Sequence, residues 1–110
     1  MAPNVDAKFP GAEKHEISLD EAKQHIQRHK KNPIHPKHHG GSFDRGVIDK
    51  ILAQPGCTHL RYYQGRNEDG TPSLILVGVD ATGKDMTKAT IAERSGLCPP
   101  WCDSTSELIA

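Results

Sequence analysis

Two strand-like segments joined by a polar loop constrain the fold more than any other feature of the chain. Residues in Cys57–Gln64 alternate in polarity, which is the period of a half-buried β-strand. Ser73–Val79 is apolar on both faces, as central strands are. The intervening segment, Gly65–Pro72, is polar and carries the glycine and proline typical of hairpin loops. The sequence therefore predicts a long β-hairpin that pairs Thr58–Gln64 with Ser73–Val79.

The register of this hairpin can be predicted by collecting its apolar side chains on one face. Leu60 is placed opposite Val77 and Tyr62 opposite Ile75, because this arrangement buries them on the same side of the sheet. The other face then presents three further cross-strand pairs, which are His59 with Gly78, Arg61 with Leu76, and Tyr63 with Leu74.

Two helices are predicted before the hairpin. Ser18 and Glu21 have the spacing of a capping box, so the first helix is expected over Leu19–Lys31, with Pro33 ending it. The second helix is expected over Asp44–Gln54, with a broad apolar face formed by Val47, Ile48, Ile51 and Leu52.

These elements predict an α+β fold in which two N-terminal helices pack on a small antiparallel β-sheet centred on one hairpin. A short third strand around Lys84–Thr87 and a weakly helical segment, Lys88–Arg94, follow the hairpin. Residues 1–16 are expected to form a flexible N-terminal arm, and residues 17–110 a single α+β domain. A chain of 110 residues is the usual length of one domain.

Charge and hydropathy exclude several classes of protein. The formal net charge is zero, so nothing global favours a nucleic acid or an anionic membrane as partner. The longest apolar run is Leu74–Val79, whereas a membrane span needs about 20 residues. The N-terminus lacks the pattern of a signal peptide, and three cysteines are an odd number for a disulfide framework. We therefore expect a cytoplasmic protein.

The hairpin carries the first candidate site, a ligand-binding set formed by His59, Arg61 and Tyr63. These residues stand at i, i+2 and i+4 of one strand, so their side chains emerge on the same face. A guanidinium beside an imidazole and a phenol favours an anionic ligand, and Gly78 opposite His59 would leave space for it. The alternative is a partly solvated sheet face, on which the long side chains cover Leu74 and other apolar residues.

The cysteines suggest a second candidate site, a zinc centre formed by Cys57, His59, Cys98 and Cys102. Three thiolates and an imidazole form a known tetrahedral zinc set, although only the Cys98–Cys102 spacing resembles a zinc hook. The same two cysteines suggest a redox-active disulfide as an alternative. A third interpretation is that the thiols have no function and that the proline-rich tail docks Trp101 on the core.

A histidine-rich, basic segment between His25 and His39 is a third candidate. His25 and His29 are one helical turn apart, a separation at which two imidazoles can share a metal ion. Five Lys and Arg residues but no acidic residue lie between Lys23 and His39, which also suits phosphate or RNA. No aromatic residue is interleaved for base stacking, so the alternative is a solvated helix face and loop.

One motif resembles a phosphate-binding loop. The segment Gly78–Lys84 follows an apolar strand and has the GxxxxGK spacing. Asp85 stands where a hydroxyl residue should hold magnesium, and its charge would oppose phosphate. We interpret this segment as a hairpin turn.

The segment Phe43–Met86, with its ILAQPGC, LRYYQG and LILVGVDATGKDM stretches and the later CPPWC, resembles a family of small uncharacterised bacterial proteins with no assigned activity. The resemblance covers most of the chain after Ile17. It implies a small cytoplasmic bacterial protein and transfers no catalytic residue.

Two functional hypotheses follow. The first is a non-catalytic ligand-binding or protein-interaction module, because no Ser-His-Asp order, HExxH motif or carboxylate pair predicts catalysis. Its partner would be a protein or a small anionic ligand, and an exposed first strand of the hairpin would favour a homo-oligomer. The second is a zinc-binding or thiol-redox protein that uses Cys57, His59, Cys98 and Cys102.

Overall fold

A computed structural model describes residues 15–109 of the chain. Residues 1–14, which make up most of the predicted N-terminal arm, lie outside the described residues. Neither helix in the described part is long and apolar enough to cross a membrane. In chain order the elements are α1 (Leu19–Lys31), β1 (Gly40–Ser42), α2 (Arg45–Leu52), β2 (Cys57–Arg66), β3 (Pro72–Asp80), β4 (Ile91–Ala92) and β5 (Gly96–Cys98).

Helix α1 has the predicted bounds but not the predicted packing. The Ser18 hydroxyl caps its first turn by accepting a hydrogen bond from the Glu21 amide at 3.1 Å. None of its residues is buried, and it lies against no other helix or strand of the described part. A side-chain bond from Lys30 Nζ to the carbonyl oxygen of Ile109, 3.0 Å long, joins it to the C-terminal tail. Its narrow apolar stripe is too small to form a core interface.

Helix α2 supplies the core. The Asp44 carboxylate caps it by accepting from the Gly46 amide at 2.8 Å, and the helix ends at Leu52, within the predicted range Asp44–Gln54. Its Ile51 side chain is fully buried against Leu76 of β3 and Ala92 of β4. Partly buried residues extend this core, namely Phe43, Val47, Ile48 and Leu74.

Strands β2 and β3 form the predicted hairpin, but the predicted register is wrong by one residue. Leu60 lies opposite Gly78, Tyr62 opposite Leu76, and Tyr63 opposite Ile75. A register shift between Cys57 and His59 marks a bulge near the start of β2. Because side chains alternate between faces, this single step exchanges the two faces of β2 relative to β3.

The loop between the strands explains the register. The Asn67 amide donates to the Thr71 carbonyl oxygen at 2.8 Å, and the Gly70 amide donates to the Asn67 carbonyl oxygen at 2.9 Å. Gly70 has φ +88°, a conformation that glycine adopts at little cost. Since β3 is apolar on both faces, burial alone does not distinguish the two registers, and the turn geometry fixes one.

The predicted third strand and C-terminal helix are also wrong. Only Asp85 of the predicted Lys84–Thr87 strand pairs with β3, through a single bridge to Val79. The third strand of the sheet is β4, which falls inside the segment predicted to be helical, and its Ile91 pairs with Val77. The Gln54 side chain positions β4, because its Oε1 accepts from the Thr90 amide at 3.3 Å.

The chain combines helices and strands, but the predicted arrangement of two N-terminal helices on one hairpin-centred sheet is wrong. The strands form two antiparallel sheets in the described residues, one with the order β2-β3-β4 and one that pairs β1 with β5. Strand β1 lies between the helices in the sequence, and only α2 packs on a sheet. Strands as short as β1, β4 and β5 leave almost no periodic signal in a sequence.

Candidate functional site

The predicted ligand set lies together on one face of β2, and a fourth residue joins it. His59, Arg61 and Tyr63 alternate along the strand opposite Val79, Val77 and Ile75, respectively. Arg61 Nη1 donates to Asp85 Oδ1 at 2.7 Å, and the Tyr63 hydroxyl donates to Asp85 Oδ2 at 2.5 Å. The sequence by itself places Asp85 only in the turn after β3.

This carboxylate changes what the face can bind. Burial acts to lower the pKa of Arg61, but hydrogen bonds and charge attraction from Asp85 and Tyr63 outweigh it and raise that pKa above its ordinary value. Arg61 Nη1 also donates to the Gly83 carbonyl oxygen at 3.3 Å. An anion arriving here would compete with an ion pair already formed, so the ligand role of His59, Arg61 and Tyr63 stays a prediction.

The space expected at Gly78 lies on the opposite face of the sheet and is filled. Gly78 faces Leu60 rather than His59. A Cβ atom on Gly78 would lie 3.0 Å from Cys57 Sγ, 3.1 Å from Gln54 Nε2 and 3.3 Å from Ile51 Cγ2. A side chain at Gly78 would therefore crowd the thiol and two side chains of the α2 region, which would have to shift slightly to admit it.

The four residues of the predicted zinc set are not brought together. Cys57 lies on the α2 side of the sheet beside Gly78, whereas His59 lies opposite Val79 on the other side of the bulge. Cys98 and Cys102 are joined by a disulfide, with their Cα atoms 4.7 Å apart. Among the described residues no three His, Cys, Asp or Glu side chains are grouped to hold a metal ion. A zinc centre would require this disulfide to be reduced, and it stays a prediction.

The tail that carries the disulfide does not dock its tryptophan in the core. The Trp101 side chain is 73% exposed, and the Trp101 amide donates to the Leu97 carbonyl oxygen at 2.8 Å. The interpretation that Trp101 packs on the core is therefore wrong. The tail instead follows β5, which pairs with β1 from Gly40 to Ser42.

The GxxxxGK segment forms the predicted turn. Asp80 Oδ1 accepts hydrogen bonds from the Thr82 amide, the Thr82 hydroxyl and the Lys84 amide, at 2.9, 2.6 and 3.1 Å. The Thr82 hydroxyl bond is the largest cause of the lowered pKa of Asp80. Asp69 and Thr71 repeat this arrangement before β3, where the Asp69 carboxylate accepts from both the amide and the hydroxyl of Thr71. Two Asp-x-Thr turns thus fix the two ends of β3.

His25 and His29 of α1, which were predicted to be able to share a metal ion, lie in different environments. The His25 imidazole is exposed and forms a 3.1 Å hydrogen bond with the Arg28 guanidinium. His29, one turn later, lines a cleft together with His35, His38 and His39 of the connector, the segment between α1 and β1. The connector is held over this cleft because the His39 amide donates to the Cys98 carbonyl oxygen at 2.7 Å.

This cleft, called the histidine cleft below, has a volume of about 230 Å³. Its apolar lining is continuous with the core, because Phe43 and Leu74 contribute to both. None of the described residues that line it is Asp, Glu, Lys or Arg. The lining residues are His29, Ile34, His35, His38, His39, Gly40, Gly41, Phe43, Gln64, Pro72, Ser73, Leu74, Ser95 and Leu97.

Sequence reasoning found the histidines of the cleft but missed their apolar partners. The histidine cluster was visible in the composition of the connector, whereas Leu97 and Leu74 are far away along the chain. Leu97 reaches the cleft through the pairing of β5 with β1, two strands of three residues each, whereas Leu74 lies on β3. Such short pairings are set by tertiary contacts rather than by local pattern.

No protein-family model matches the chain, and neither does any curated protein or any solved structure.

Proposed function

We propose that the chain is a non-catalytic binding module whose ligand site is the histidine cleft. The carrying observation is a cleft lined by apolar side chains together with hydrogen-bonding side chains, among them four histidines. Small-molecule sites in proteins combine these two properties, an apolar lining with a few convergent polar groups. The face formed by His59, Arg61 and Tyr63 is less suited to an incoming ligand, because Asp85 already accepts hydrogen bonds from Arg61 and Tyr63.

The lining chemistry indicates the class of ligand. An imidazole offers a donor in either tautomer, and the Gln64 amide and the hydroxyls of Ser73 and Ser95 add further polar groups. No carboxylate among the described lining residues would repel an anion or attract a cation. A volume of about 230 Å³ suits a molecule of roughly one ring. The expected ligand therefore has a small apolar body and one carboxylate or comparable acceptor group.

An NMR titration with simple probes tests this proposal. We expect benzoate to shift amide resonances of the connector and of Leu74 and Leu97 in a saturable manner. Benzylamine has a similar ring but a positive charge, and should produce no saturable shifts. Ring-sized fragments have few atoms to contribute, so the affinity should lie in the micromolar to millimolar range.

Matched variants locate the site. A double substitution of His35 and His38 by alanine should weaken benzoate binding by an order of magnitude, whereas His59→Ala should leave it unchanged. The absence of saturable shifts with benzoate would contradict the proposal. Benzoate shifts centred on Arg61 and Tyr63 would instead assign the ligand to the face predicted from sequence.

A further inference from the structure

The outer edge of β2 is the longest unpaired strand edge in the described part of the chain. The three-stranded sheet has the order β2-β3-β4, and β2 runs for ten residues, whereas the opposite edge strand has two. Within residues 15–109 no strand pairs with this outer edge. A long, regular edge is a template for another strand, and proteins usually protect it.

The backbone groups on this edge can be assigned from the hydrogen bonds of β3. The Asp80 amide donates to the Lys84 carbonyl oxygen, and the Gly78 carbonyl oxygen accepts from the Met86 amide. The backbone N–H and C=O groups of Gly78 and Asp80 therefore point away from β2. Amide and carbonyl of one strand residue point in the same direction and alternate along the strand. The backbone groups of Val77 and Val79 therefore point toward β2. Their partners on β2, Arg61 and His59, direct their backbone groups toward β3. The residues of β2 whose backbone groups point outward are Leu60, Tyr62 and Gln64.

The side chains along this edge favour pairing with another strand and do not protect the edge from it. Leu60, Tyr62 and Tyr63 are 38%, 63% and 47% exposed. The usual protective residues, lysine and proline, do not occur between His59 and Gly65. The bulge lies near the beginning of the strand and leaves the segment after His59 regular.

One antiparallel register makes this edge complementary to itself. With Tyr62 opposite Tyr62 of a second copy, Arg61 lies opposite Tyr63 of that copy, and the pair occurs twice by symmetry. An arginine facing a tyrosine ring is attractive. The same register places His59 opposite Gly65, which has no side chain to obstruct it. A shift that centres the contact on Arg61 would oppose two like charges, which is destabilising.

We propose that a second copy of the chain pairs antiparallel with β2, with Tyr62 on the two-fold axis, so that one sheet continues across both copies. In this register the outward-pointing groups of Tyr62 bond to those of the other Tyr62, and Leu60 bonds with Gln64. The proposal goes beyond ligand binding in the histidine cleft and does not depend on it.

Sedimentation equilibrium of the full chain over a range of concentrations tests the association. We expect a monomer–dimer equilibrium for the natural sequence. Tyr62→Lys should raise the dimer dissociation constant by an order of magnitude or more, because it places two like charges on the axis. Ile91→Lys is the matched control, since Ile91 is a 49% exposed apolar residue on the opposite edge strand, and it should leave the constant unchanged.

A crosslink tests the register independently of those variants. Opposite residues of a hydrogen-bonded antiparallel pair have Cα atoms about 5.5 Å apart, within the range of a disulfide. In a Cys57→Ala background, Tyr62→Cys should therefore give a disulfide-linked dimer on mild oxidation. Leu60→Cys should not, because the two introduced thiols would be separated by roughly 14 Å, four residues along the strand.

Each contrary result overturns the proposal. A natural sequence that sediments as a monomer up to its solubility limit excludes the dimer. Loss of the dimer with Ile91→Lys but not with Tyr62→Lys assigns the contact to the other edge. Equal crosslinking of the Tyr62→Cys and Leu60→Cys chains rejects the register.

Discussion

The two strands of the hairpin have almost the same length but opposite environments. Strand β3 contains five buried residues, whereas β2 contains none, although the two strands are paired along their whole length. The cross-strand pair Tyr62 and Leu76 shows the difference most clearly, with exposures of 63% and 6%. β3 has a strand on each side, whereas β2 has a strand on one side only, and α2 contacts both strands. Buried side chains are therefore concentrated in β3, and exposed side chains are concentrated in β2.

The largest effect is expected from truncating the buried member of this pair. Leu76→Ala removes a side chain that packs against Ile51 and Ala92, and should lower the free energy of unfolding by about 2–5 kcal/mol. Tyr62→Ala acts at an exposed position and should cost less than about 1 kcal/mol. Urea unfolding of both variants measures the two values.

The protein concentration must be low in that comparison, so that pairing through β2 does not add to the apparent stability. Equal costs for the two variants would contradict the division between a structural β3 and an exposed β2. A Tyr62→Ala cost that grows with protein concentration would instead report a contribution from self-association.

Local signals predicted the elements that local chemistry controls. The Ser18 cap, the approximate end of α2 and the hairpin itself could be predicted from the sequence, because a cap or a turn involves residues a few positions apart. The register of the hairpin could not be predicted, since β3 has apolar residues on both faces. The packing of α1 could not be predicted either, because a capped amphipathic helix has the same sequence pattern whether or not it packs on the core.

The candidate sites show the same limit. His59, Arg61 and Tyr63 share a face as the alternation required, but Asp85, the partner of Arg61 and Tyr63, comes from a turn more than twenty residues away. Asp85 starts an Asp-x-Thr sequence like those at Asp69 and Asp80, yet its carboxylate accepts from Arg61 and Tyr63 across the sheet. Local sequence alone does not distinguish a turn-forming aspartate from one that makes a long-range ion pair.

An intermediate effect is expected from the ion pair that links β2 to the turn after β3. The side chains of Arg61 and Asp85 are 32% and 23% exposed, whereas those of Arg45 and Asp49 on α2 are 91% and 61% exposed. Lower exposure reduces screening by solvent. A double-mutant cycle with Arg61→Met and Asp85→Asn should give a coupling energy of about 1 kcal/mol.

The exposed pair is the matched control. The cycle with Arg45→Met and Asp49→Asn should give no more than about 0.5 kcal/mol, as i,i+4 pairs on helix surfaces do. Added salt should reduce the second coupling energy more than the first. If the Arg61–Asp85 coupling is no larger than the control, the side chains of β2 do not help to hold the turn against β3.

The smallest effect is expected at the end of β3, where a charge rather than packing fixes the strand. The hydrogen bonds from Thr82 and the Lys84 amide lower the pKa of Asp80 in the folded chain, so its contribution to stability is complete above the unfolded value of about 3.9. That contribution is lost as the pH falls through the folded pKa. Asp80→Asn should therefore lower Tm slightly at pH 6, and the difference from the natural sequence should disappear toward pH 2.

Thr82→Val should show a smaller pH-dependent difference, because it removes only the hydroxyl donor. A difference that is constant across this pH range would mean that the turn holds β3 through its geometry and that the charge of Asp80 contributes nothing.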